Sequence, residues 1–104
     1  MNEQTAQGPT INIELPEEIA EGEYANLVMI AHSPEEFILD FIRVLPGLPK
    51  ARVKSRIIMT PQHARRFLRA LKENIERYEA AFGPIVEKGG KMPPAQYHTP
   101  SGEA

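Results

Sequence analysis

The chain of 104 residues contains no cysteine. That excludes disulfide staples and thiolate metal sites, and it fits a reducing compartment. No apolar run approaches the roughly 20 residues needed to span a bilayer. Met1 to Pro9 has neither the basic nor the apolar region of a signal peptide. The expected location is therefore the cytoplasm, with no membrane partner. Charge of one sign is also missing locally. Residues 1–48 hold nine acids (Glu3, Glu14, Glu17, Glu18, Glu21, Glu23, Glu35, Glu36 and Asp40) against a single base, Arg43. Residues 49–72 hold eight bases (Lys50, Arg52, Lys54, Arg56, Arg65, Arg66, Arg69 and Lys72) and no acid. A net charge of −2 conceals this asymmetry. It points to an electrostatic partner, or to two halves that neutralise each other within one fold or between subunits.

The length supports one domain. Residues 1–9 are polar and expected to be a disordered tail, and 87–104, rich in Gly and Pro, a second one. The α+β domain then spans 10–86. A domain of about 75 residues buries only about 60% of the surface its unfolded chain exposes. With disulfides excluded, self-association is the remaining source of extra stability.

Within the domain, Thr10 to Leu15 alternates apolar and polar residues, the pattern of a half-buried strand, and Pro16 ends it. Pro16 to Gly22 reads as an acidic connection. Tyr24 to His32 is apolar on both faces and reads as a covered strand. Ser33-Pro34-Glu35-Glu36 has the chemistry of a turn. Phe37 to Leu45 is rich in β-branched and aromatic residues and ends at Pro46-Gly47, so it reads as another strand. Ala51 to Thr60 is the fourth. Its alternation sets Val53, Ser55, Ile57 and Met59 on one face and Arg52, Lys54, Arg56 and Ile58 on the other. Thr60 is an N-cap and Pro61 an N1 residue. After them Ala64, Phe67, Leu68, Leu71, Ile75, Tyr78 and Phe82 form an apolar stripe about six turns long. Arg69–Glu73, Lys72–Glu76 and Glu73–Arg77 are spaced for ion pairs. Gly83 is the expected C′ residue, with Pro84 blocking continuation.

Short connections favour antiparallel neighbours. The Ser33–Glu36 turn sets Ile30 near Leu39 and Val28 near Phe41, and the next loop sets Leu39 near Ile57 and Asp40 near Arg56. The helix is expected to cover the face of Val28, Ile30, Phe37, Leu39, Phe41, Ile57 and Met59. The opposite face carries Leu27, Met29, Ile38, Asp40, Ile42, Arg56 and Ile58. One helix cannot cover both faces. The second is expected to be an interface between copies, in a dimer or tetramer, with Asp40 and Arg56 paired inside it.

Chemistry is sparse. His32, His63 and His98 follow no metal-ligand spacing. Glu17-Glu18 and Glu35-Glu36 fall on loops with nothing to raise a carboxyl pKa. Ser33 and Ser55 have no recognisable His and Asp companions. No Gly-rich phosphate loop lies between a strand and a helix. No enzyme activity, metal or cofactor is expected. The remaining feature is the basic segment 50–72. Arg52, Lys54, Arg65, Arg66, Arg69 and Lys72 are candidate contacts for an anion or an acidic partner. Arg65 and Arg66 stand in the first two turns of the helix, where the macrodipole favours acids.

The runs Y-A-N-L-V-M-I-A-H-S-P-E-E-F-I-L-D-F at 24–41 and R-I-I-M-T-P-Q-H-A-R-R-F-L-R-A-L-K-E-N-I-E-R-Y-E-A-A-F-G at 56–83 resemble a bacterial and archaeal family, domain of unknown function 3467. The resemblance covers the ordered core and carries no activity with it. The layout of four antiparallel strands followed by a long helix is similar to a protomer of the SecB export chaperones, although a second C-terminal helix is missing. These readings imply a homo-oligomeric module for an unidentified protein partner, chaperone- or adaptor-like. The alternative is a transcription-associated or nucleic-acid-binding protein, with RNA polymerase among its partners, acting through the basic segment.

Overall fold

In a computed structural model, residues 10–47, 49–88 and 95–98 are described. The expected tail at 1–9, and most of the one at 87–104, lie outside them. The chain divides into two compact units, residues 1–65 and 66–104.

The first unit is an antiparallel sheet of three strands, β1 (Leu27–His32), β2 (Phe37–Arg43) and β3 (Arg52–Met59), in that spatial order. The expected count of four is corrected to three. Thr10 to Leu15 forms no strand, and Ile11, Ile13 and Leu15 are 81%, 89% and 68% exposed. Alternation tells which side chains a strand would bury, but a strand also needs a neighbouring ladder for its N–H and C=O groups. Among the described residues nothing pairs with this segment. Pro16 to Gly22, read as plain connection, contains one helical turn, α1 (Glu17–Ala20). The Pro16 carbonyl accepts from the N–H groups of Ile19 and Ala20 at 3.0 Å. Glu17 and Glu18 occupy its first turn, where a helix tolerates acids well.

The register follows the sequence reading closely. Ile30 is opposite Leu39, Val28 opposite Phe41, Leu39 opposite Ile57 and Asp40 opposite Arg56. In the first hairpin the Ser33 N–H donates to the Glu36 carbonyl at 3.0 Å, and the Glu35 N–H to the Ser33 hydroxyl at 3.2 Å. Asn26 extends the ladder past the end of β1. Its side-chain amide donates to the Val44 carbonyl at 3.0 Å and accepts from the Val44 N–H at 2.8 Å, as a peptide group would.

One feature departs from simple alternation. A register shift falls between Phe41 and Ile42, so Phe41 faces Ser55 while Ile42 faces Val53. Lys54 is the extra residue of a bulge, which bends the strand and re-aims its side chains. Val53 therefore leaves the Ser55, Ile57 and Met59 face and joins that of Ile42, and Arg43 comes opposite Arg52. The buried apolar residues among those described are Leu39 and Ile42, with Asp40 buried between them on the central strand.

The second unit contains most of α2 (Pro61–Phe82), whose first turn belongs to the first unit. Thr60 caps it: its hydroxyl accepts from the His63 N–H at 3.3 Å and its carbonyl from the Ala64 N–H at 2.9 Å. Gly83, at φ +97°, ends it in the left-handed region that favours glycine. Of the expected ion pairs, Lys72–Glu76 closes at 3.2 Å. Arg77 donates from Nη2 to the Asn74 side-chain oxygen Oδ1 at 3.1 Å. No residue of α2 is buried, and Phe67, Leu71, Ile75 and Tyr78 are 40%, 46%, 39% and 50% exposed.

Candidate functional site

Asp40 lies at the centre of the sheet and is 1% exposed. Across the ladder, Arg56 donates from Nε to Asp40 Oδ1 at 2.7 Å and from Nη2 to Oδ2 at 2.8 Å. This fork is the strongest geometry available to an Arg–carboxylate pair. It is also asymmetric, because the Arg56 side chain remains 54% exposed. A buried carboxylate is thus held by a half-exposed cation.

The residues expected at an interface do share one face. Leu27 is opposite Ile42, Met29 opposite Asp40, and Ile38 opposite Ile58, with Arg56 next to them. Ile42 and Asp40 are buried, Leu27, Met29 and Ile38 half-buried, and Ile58 is 56% exposed. The other face also keeps apolar surface, at Val28, Ile30 and Ile57, which are 41%, 60% and 43% exposed. Apolar surface therefore remains on both faces of the sheet and along the helix stripe.

The basic residues fall into two groups. Arg52 and Lys54 are on β3, and they line an open depression of about 300 Å³ with Arg43, Leu45, Lys50 and Ala51. Four cations thus surround one small hollow at the end of the second hairpin. Like charges directly opposite across a ladder are destabilising, and Arg43 and Arg52 are so placed by the bulge. Among the described residues the ion pair at this hollow joins Lys54 to Glu23 at 3.7 Å. Arg43 and Lys50 were missed as site residues in the sequence. The signal was one step away: a bulge shifts Arg43 from a neighbour of Val53 to a neighbour of Arg52. The second group, Arg65, Arg66, Arg69 and Lys72, is exposed along α2.

His32 stacks on Phe37 with ring centroids 5.4 Å apart. Among the described residues no group of three His, Cys, Asp or Glu side chains comes together as metal ligands. No helix among them is long and apolar enough to cross a membrane.

The architecture is that of a small α+β protein, an antiparallel sheet followed in sequence by a long amphipathic helix. The chain belongs to the family described as protein of unknown function (DUF3467), whose model matches residues 1–87. No curated protein and no solved structure matches it.

Proposed function

We propose that this protein is a non-enzymatic, homo-oligomeric protein-binding module of adaptor or chaperone type, acting in the cytoplasm. The observation that carries this reading is the exposed stripe of α2 together with uncovered apolar residues on both sheet faces. Exposed apolar surface on such elements marks contact with other protein. A helix stripe with anchors at Phe67, Leu71, Ile75 and Tyr78 has the spacing by which amphipathic helices enter apolar grooves. The family assignment specifies no role. The comparison with SecB rests on layout alone, and fold does not decide function.

A second reading is favoured by the hollow lined by Arg43, Lys50, Arg52 and Lys54. Here the basic segment 50–72 contacts nucleic acid, directly or beside RNA polymerase. The two readings differ in salt response. Phosphate contacts weaken by roughly 0.9 log units per released charge per decade of salt, whereas apolar contacts do not. The test is a tagged pull-down from the native cell at low and high salt, repeated with Arg65→Glu plus Arg69→Glu. Protein partners retained at high salt and by the variant are the expected result. Recovery of nucleic acid alone, lost in either condition, would overturn the first reading in favour of the second.

A further inference from the structure

The segment Thr10 to Leu15 has strand composition and, among the described residues, no strand partner. Its three large apolar residues, Ile11, Ile13 and Leu15, are 81%, 89% and 68% exposed. Two β-branched isoleucines in alternation favour extended, half-buried backbone. Among the described residues the sheet ends at two open edges, because β1 and β3 each pair there only with β2. An open edge is a template for another chain. The two edges differ in charge. β1 (Leu27–His32) carries no Lys or Arg, whereas β3 carries Arg52, Lys54 and Arg56. The unpaired segment is acidic in turn, with Glu14 inside it and Glu17 and Glu18 just after it.

We propose that residues 10–15 of one copy add antiparallel to the β3 edge of a second copy, completing a four-stranded sheet across the dimer. Direction follows from charge. An antiparallel strand of these six residues that starts beside Met59 ends beside Lys54, and the chain that follows it continues towards Arg52. The partner copy's acids at positions 17 and 18 then come to the hollow formed by Arg43, Lys50, Arg52 and Lys54. That supplies the negative charge which the opposed Arg43 and Arg52 require. Glu23, already 3.7 Å from Lys54 within one chain, shows that acid is accommodated there. The proposal rests on the homo-oligomer reading and specifies how the copies join. In it the hollow is filled by protein, not by phosphate.

The chain lacks cysteine and carries Lys50 and Lys54 at the hollow, so carbodiimide coupling of carboxylate to amine is a direct probe. Copies labelled with heavy and light nitrogen are mixed, coupled and mapped by mass spectrometry. Mixed-isotope links from Glu17 or Glu18 to Lys50 or Lys54 are expected. Links confined to single copies, or none, would overturn the proposal. In parallel, sedimentation of Ile13→Asp is expected to show association weakened by at least about tenfold. Ile13 is 89% exposed within its own chain, so circular dichroism should stay unchanged. Association that persists in Ile13→Asp would overturn the strand exchange while leaving the oligomer intact. A wild-type chain that sediments as a monomer would overturn both.

Discussion

Asp40 carries the clearest single-residue consequence. A buried carboxylate loses its hydration, and the Arg56 fork is what offsets that loss. Removing the cation deletes both charge-assisted bonds of that fork. Arg56→Met should destabilise the protein by about 1.5–3 kcal/mol in chemical denaturation. The double variant Asp40→Leu plus Arg56→Met should recover most of that, since a well-packed apolar pair often replaces a buried ion pair at little cost. A double variant no better than the single one would show that Asp40 has a further indispensable role. Asn26 teaches a related lesson. Its amide stands in for a peptide group opposite Val44, which explains why a polar residue immediately precedes an apolar strand.

At the scale of elements, what could be read in advance depended on whether the determinant was local. The α2 boundaries were legible because Thr60, Pro61 and Gly83 each act on their own backbone. Thr60→Ala should cost about 1 kcal/mol, and Gly83→Ala, at φ +97°, a comparable amount. Both can be read as losses in thermal midpoint by circular dichroism. The pairing of β1, β2 and β3 was legible because a short turn sets the register and alternation confirms it. Two elements resisted. Thr10 to Leu15 satisfied every local criterion for a strand but, among the described residues, has no ladder to join. The bulge after Phe41 has no glycine or proline to announce it, yet it decides that Arg43 faces Arg52. The hollow and its four cations were consequently only half visible: Arg52 and Lys54 stood out in the basic run, whereas Arg43 sat in the acidic half of the sequence.

For the whole molecule, the balance of buried and exposed apolar surface is the dominant fact. Among the described residues Leu39 and Ile42 are the buried hydrophobics, while Ile30, Ile58, Leu68 and Phe82 are 60%, 56%, 56% and 76% exposed. So small a core is poorly matched to the conformational entropy that folding removes. In the proposed homo-oligomer, surface buried between copies supplies the difference, and stability then depends on protein concentration by mass action. The thermal midpoint should rise as the chain is concentrated, whichever edges or faces form the contact. The most direct test is sedimentation equilibrium of the full chain across the micromolar range, with thermal unfolding followed on the same samples. The account predicts dimers or larger assemblies and a midpoint that climbs with concentration. A monomer throughout, unfolding cooperatively at one fixed temperature, would contradict it.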